Sequence, residues 1–265
     1  DGPGGCWEQG EDGVRREKSW RNCIQDDAED SLRIVRGSPD PTISWPSEAA
    51  PPNPPDTCVA AFKGATVTLD ATLVDCSYTL PTGIKRGFRY VPGTPATLEV
   101  YGTVALEGFD LILNREVRYI AQTGTAKNAT LAVLASDRQG GNASDRQGGN
   151  LDINGNLLPA PNQGLFPEHV LGLIAERNVY QRGSYVMAPV YAGGTFRIVK
   201  QNVLVGSVIS NEFCTTSAGN QTSCAAGQSA EVVFVNTGAN KPKALQFADL
   251  VAGRYVFQVL SYERR

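Results

Sequence analysis

From Cys58 onward the chain alternates apolar and polar residues in short runs. Ala65-Thr66-Val67-Thr68-Leu69, Leu98-Glu99-Val100-Tyr101, Leu111-Ile112-Leu113 and Val117-Arg118-Tyr119-Ile120 each carry the two-residue period of a β-strand. A larger unit recurs around them: two apolar residues spaced by two, a Gly, Asn or small-residue corner, then apolar again. It occurs as Leu98 to Val104, Leu151 to Leu157, Leu171 to Val179, Val190 to Phe196 and Val203 to Ile209. From Ile153 to Leu173 to Val190 to Val208 the steps are 20, 17 and 18 residues. Steps of that size predict a mainly β body, a β-solenoid (β-helix-like) stack of short strands turned at Gly or Asn. The competing architecture is an antiparallel β-sandwich, which also has short strands and frequent turns. Few two-residue hairpin turns are signalled, apart from Asn154-Gly155. The alternation in Arg254 to Tyr262 predicts a strand near the end of the fold.

The first 57 residues have a different texture. Residues 1–38 form a charged head, and the first 40 residues hold 16 of the chain's 51 charged side chains. Gln25 to Arg36 is the predicted helix, acidic in its first half, basic at its end and followed by Gly37. Residues 39–57 carry Pro39, Pro41, Pro46, Pro51, Pro52, Pro54 and Pro55, which excludes helix and central strand. This segment is a Pro-rich linker or strap, with a proline-rich recognition ligand as the sharper alternative. Residues 58–265 make up the β-rich body. Within it, residues 135–142 recur without change as residues 143–150. The polar, Gly-rich duplication reads as a loop insertion. A calcium loop would need closely spaced aspartates that the copies lack.

Composition narrows the chemistry. In 265 residues a net charge of −3 argues against a dedicated nucleic-acid binder. No run approaches about 18 consecutive apolar residues, and the start shows no signal-peptide pattern, so any export signal or anchor is expected outside these residues. A single histidine, His169, excludes multi-histidine metal sites, and it is expected at a loop or strand edge. No metal or other cofactor is expected. Six cysteines, Cys6, Cys23, Cys58, Cys76, Cys214 and Cys224, form no C-x-x-C pair. Their even count predicts disulfides in an oxidising compartment. Among 15 possible connectivities the sequential one is favoured, because each neighbouring pair brackets a Gly-, Pro- or Asn-rich stretch. Asn-x-Ser/Thr triplets at Asn128, Asn142 and Asn220 mark surface loops.

The stretches Gly155 to Pro159, Leu171 to Tyr180, Ala188 to Phe196, Lys200 to Asn202, Gly206 to Asn211 and Tyr255 to Glu263 resemble pilus-associated, minor-pilin-like surface proteins. Relatives of that family include competence-associated pilins that carry a β-solenoid domain. The resemblance spans about residues 98–265. It implies an exported protein at the cell surface or on a pilus, a non-catalytic structural or binding module with other pilus or envelope proteins as partners. The hydrophobic helix with which the family begins is not in this chain, and the family supplies no catalytic residues to carry over.

Two further readings follow from particular residues. Lys85, Arg86, Phe88, Arg89 and Tyr90 interleave cations with aromatics, a pattern that neutralises phosphates and stacks bases. Together with the resemblance, they make an extracellular receptor for DNA or a surface glycan the alternative. A polysaccharide-active β-helix enzyme is the third reading, with Asp75, Asp110, Asp152 and Glu176 as its only candidate carboxylates, and nothing in their spacing pairs them.

Overall fold

A computed structural model of the chain describes residues 7–9, 15–17, 19–46, 54–136, 146–217, 224 and 229–235. Strands β1 (Trp7–Gln9) and β2 (Arg15–Glu17) pair antiparallel. Helix α1 (Trp20–Glu29) follows, then the antiparallel pair β3 (Leu32–Val35) and β4 (Thr42–Ser44). Helix α2 (Asp56–Ala61) and strands β5 (Thr66–Leu69), β6 (Val74–Thr79) and β7 (Lys85–Val91) lead into the body.

The body then repeats one itinerary. Strands β8 (Ala96–Tyr101), β9 (Thr103–Glu107) and β10 (Asp110–Leu113) form a first rung. On them, each on its counterpart and in parallel, lie β11 (Val117–Gln122), β12 (Asn128–Leu134) and β13 (Leu151–Ile153). The next rung is β14 (Leu157–Pro159), β15 (Val170–Ala175) and β16 (Val179–Gln181), again parallel to the strands before. Strand β17 (Tyr185–Met187) follows, and then β18 (Val190–Val199), which pairs with β15 through its first half and with β16 through its second. Strands β19 (Val203–Gly206), β20 (Val208–Thr216) and β21 (Glu231–Phe234) pair in parallel on β17, β18 and β19.

Three stacks of strands result. The first stack, β8, β11, β14, β17, β19 and β21, is extended antiparallel by β7 and β6 into an eight-stranded sheet. The second and third stacks meet in β18 and form one curled eleven-stranded sheet, with β3 and β4 at the far end of the second and β5 at the far end of the third. Both sheets are therefore mixed. Among the described residues antiparallel strand pairing in them is confined to β3–β4 and β6–β7–β8, and the strand pairs of the repeating body are parallel, unlike the ladders of an antiparallel sandwich.

The alternation of side chains places one row of each strand inside. Val67, Leu111, Leu151, Val179 and Phe196 are mutual partners in register and are buried. They join residues of all three stacks in a single core. Each such side chain contributes roughly 1.5–3 kcal/mol by leaving water. Helix α2 covers the first end of this core. Its C-cap residue Phe62 is 1% exposed and meets Phe88 and Phe109 edge-on, and Cys58 in the helix is bonded to Cys76 of β6.

Several expectations change. The head helix begins five residues earlier than Gln25, because Ser19 accepts a hydrogen bond from the Asn22 amide and caps it there. It ends at Glu29, and Leu32-Arg33-Ile34-Val35 is a strand whose Leu32 and Ile34 are buried beside β9. In the Pro-rich segment, Thr42–Ser44 forms an edge strand between Pro41 and Pro46, a position where a missing N–H costs nothing. Pro55 starts α2, which the sequence reading did not expect. Of the three repeat steps, Leu173–Val190 and Val190–Val208 are true ladder partners, whereas Ile153 pairs with Leu113 and Gln181. Asn154-Gly155 is no hairpin: it turns the chain from β13 to β14, in different sheets. The strand expected over Arg254 to Tyr262, Cys6, Asn142 and Asn220 lie outside the described residues.

Candidate functional site

The cation–aromatic run forms β7, and burial divides it. Phe88 and Tyr90 point into the core at 1% and 0% exposure, and the Tyr90 hydroxyl donates to the Asp70 carbonyl at 2.7 Å. Neither ring can stack on a base, which corrects that part of the expected nucleic-acid contact. The three cations stay outside and are engaged by the protein. Arg89 lies between Asp75 (3.0 Å) and Glu99 (3.7 Å), Arg86 donates to the Asp30 carbonyl, and Lys85 sits over the Tyr101 ring. The Tyr101 hydroxyl donates to Glu99 at 2.7 Å, and burial, then that bond, push its pKa up.

A denser polar constellation, invisible in the spacing, lies where α1 meets the body. The outward row of the second stack is Ala105, Ala132, Ile174 and Tyr191, apolar where an exposed face would be polar. Ile24 and Ala28 of α1 cover it, both buried, with Trp20 tilted against Tyr191. Beside this patch Glu107, 1% exposed, accepts from Arg33 at 2.5 Å, from Gln25 at 3.0 Å and from Arg21 at 3.5 Å. Glu176 accepts from Arg21, from Arg146 at 2.5 Å and from the Ala135 amide at 2.9 Å. Asp27 accepts from Thr103. Head and body are thus joined by mutually neutralising charges around the buried Glu107 and by a shared apolar cluster.

The third stack adds a ladder along its first corner. Asp110 accepts from the Asn150 amide and side chain, and Asn150 from the Asn178 side chain at 3.0 Å. The Asn178 side-chain oxygen accepts from the Thr195 amide, and the Thr195 hydroxyl donates to Glu212 at 2.8 Å. These five residues occupy equivalent positions on successive rungs. The signal was present in the sequence as Asp110-Leu111-Ile112-Leu113-Asn114 and Asn150-Leu151-Asp152-Ile153-Asn154, a strand flanked by polar residues that reach the next rung. A second ladder runs from Asp70 through Asn114 to Asn154 at the following corner.

The four candidate carboxylates are dispersed. Asp75 is bound by Ser77 and Arg89, Asp110 by Asn150, and Glu176 by the α1 network. Asp152 faces Arg182 at 3.8 Å, and its pKa is raised by burial first, against the opposing pull of Arg182. His169 lies in the loop directly before β15, at the strand edge as expected, and is 1% exposed. Its Nε2 accepts from the Ala121 amide at 2.7 Å, and burial lowers its pKa. The Tyr119 hydroxyl, between the His169 and Met187 carbonyls, closes this site, and desolvation raises its pKa. Among the described residues no group of three or more His, Cys, Asp or Glu is placed to hold a metal ion. Cys214 is bonded to Cys224, and Cys23 is also disulfide-bonded. No helix among the described residues is long and apolar enough to cross a membrane.

Comparison with known proteins gives these features a context. A solved structure, the competence-associated pilin ComZ from Thermus thermophilus, aligns over 85% of the chain at 52% identity with a TM-score of 0.76. The chain is similar in sequence and fold to a competence pilin. The alignment spans 43% of that pilin, so the chain corresponds to less than half its length. No family model and no curated protein matches the chain. The similarity agrees with the pilus-associated resemblance read from the Gly- and Asn-cornered repeats.

Proposed function

We propose that the chain is an extracellular, non-catalytic structural module of a pilus, and that its body is a β-solenoid in which each circuit of three strands is one rung. The observation that carries the reading is the 52% identity to a competence-associated pilin over 85% of the chain. Two features support it. The parallel pairing of every rung in the same order is the connectivity a solenoid requires. The disulfides Cys58–Cys76 and Cys214–Cys224 suit an oxidising compartment. The faces of such a column are broad and rigid, suited to packing against other pilus components, while corner loops supply variation.

Immunogold labelling of intact cells with antibody against residues 98–265 tests this. Label along filaments or at their tips is the expected result. Label spread evenly over the envelope would favour a surface-layer subunit, and absence of surface label on expressing cells would overturn the extracellular reading.

A further inference from the structure

The corner that leads from the first stack to the second lengthens over the first rungs. It is one residue, Gly102, between β8 and β9, five between β11 and β12, and ten, residues 160–169, between β14 and β15. One buried side chain anchors the far end of the ten-residue loop. Strand β14 stops at Pro159, the partner of Tyr119, so Ala121 of β11 lies beyond that pairing. His169 folds back into the place a strand residue would take, its Nε2 2.7 Å from the Ala121 nitrogen and 3.1 Å from the Ala121 oxygen. The Tyr119 hydroxyl donates to the His169 carbonyl at 3.1 Å and holds the same residue. A neutral ring that accepts at Nε2 carries its proton on Nδ1. That nitrogen is buried and has no hydrogen-bond partner among the described residues, so only half of the imidazole is satisfied in the closed loop.

A second proton turns Nε2 into a donor, and two donors then face each other where the amide had an acceptor. The Ala121 carbonyl offers the cation a partial substitute, which burial outweighs. The other groups around the ring do not compensate. Lys127, from the corner between β11 and β12, repels the cation, and Glu168, next in the chain, is exposed. The Tyr119 hydroxyl is already held between the His169 and Met187 carbonyls. We propose that His169 is an acid-operated latch: its protonation frees residues 160–169 from the corner while the strands of the body stay paired. The freed arm carries Leu165, already 73% exposed, and the half-buried Phe166, so mild acid presents an apolar tip at this corner. In the freed arm the ring ionises near its ordinary 6.5, whereas burial, with Lys127 adding to it, lowers the pKa of the latched ring. Lowering the pH from 7.5 to 5 therefore multiplies the freed population by up to about 30-fold.

Amide exchange followed residue by residue on the full chain, with rates corrected for the intrinsic effect of pH, tests the latch. Between pH 7.5 and 5 the protection of the Ala121, Glu168 and Val170 amides is expected to fall by about tenfold to thirtyfold, with the amides of β9 and β13 unchanged. His169→Gln keeps an acceptor and takes up no proton, and its protection should hold over the same range. Lys127→Gln leaves the backbone bonds of the loop in place and lets the latched ring take up a proton more readily, so its fall should be smaller than that of the wild type. Wild-type loop protection that does not change with pH would overturn the proposal. So would an equal fall in His169→Gln. A fall that spreads evenly to β9 and β13 would also overturn it, since the acid step would then be an unfolding of the body and not the release of one loop.

Discussion

A buried imidazole that accepts a backbone hydrogen bond is penalised by a second proton, and His169 is such a ring. Its folded pKa lies below the ordinary 6.5, chiefly because burial disfavours the cation. As pH falls below about 6.5 the unfolded chain takes up a proton before the folded one does. Stability held above that pH is therefore lost progressively towards the folded pKa. His169→Gln keeps an acceptor for the Ala121 amide and removes the titration. Thermal melts between pH 7.5 and 5 should show a steeper fall for the wild type than for this variant. Asp70 contributes in a separate window: hydrogen bonds from Arg115 and Asn114 lower its pKa below 3.8, so its contribution is lost only in stronger acid. The corner glycines are a second residue-scale constraint. A Cβ on Gly155 would fall 2.1 Å from the Arg115 carbonyl, and one on Gly183 would fall 1.9 Å from the Gly155 oxygen. Corners stacked backbone on backbone have no room for alanine. Gly155→Ala should destabilise by about 1–3 kcal/mol, measured by denaturant unfolding.

At the scale of elements, the buried carboxylate of Glu107 explains why so short a helix stays docked. Ten residues would be marginal alone. Truncating Glu107→Ala removes the carboxylate that Arg21, Gln25 and Arg33 share. Arg21 keeps Glu176 and Arg33 keeps Glu29, so the loss is that of the charged hydrogen bonds to Glu107, about 1.5–3 kcal/mol. The expected readout is loss of exchange protection in α1 ahead of β12 and β15. In the corner ladder, Asn178→Ala removes the acceptor for the Thr195 amide and the donor to Asn150, at a cost of about 1–3 kcal/mol seen as a lower denaturation midpoint. These elements also show what the sequence could reveal. The strands at Leu111 and Val117 were legible, because one row of each is buried and the period survives. The helix boundary was not, since Leu32 to Val35 is equally compatible with a helix until β9 supplies a partner. Arg21, Glu107 and Glu176 are far apart along the chain, so no local pattern could announce their meeting.

For the whole molecule, the repeat was legible in kind but not in phase. Leu98 to Val104 rounds the corner from the first stack to the second, Leu151 to Leu157 from the third to the first, and Leu171 to Val179 from the second to the third. All three corners use the same apolar–turn–apolar vocabulary, so one motif stood for three different places. The cation–aromatic run misled for the opposite reason: its pattern was real, but Phe88 and Tyr90 are buried in the core while Lys85, Arg86 and Arg89 are each held by protein partners. The disulfide at the closed end acts at this scale too. The Cys58–Cys76 bond closes 18 residues and holds α2 over the core. Selective reduction should lower stability by about 3 kcal/mol in the loop-entropy picture, and calorimetry with and without reductant measures it.

The corner between β12 and β13 holds the duplicated octapeptide, and its neck is closed. The Ser136 amide donates to the Gln147 carbonyl, and the Gln147 amide donates to the Ser136 hydroxyl at 2.9 Å. If residues 143–150 were excised, Gln139 would stand where Gln147 stands, and Gly140, Gly141 and Asn142 would succeed Gly148, Gly149 and Asn150. The ladder from Asp110 would then pass through Asn142 unchanged. Loop closure varies by only about 0.6 kcal/mol per doubling of length. Excision shortens the span inside the neck from ten residues to two, a little over two such doublings, so the melting temperature should move by about 3–6 °C at most. Such a corner is a point of growth: a copying slip there lengthens the chain while every later strand keeps its ladder partner, and the cost of each further copy rises only with the logarithm of the loop's length.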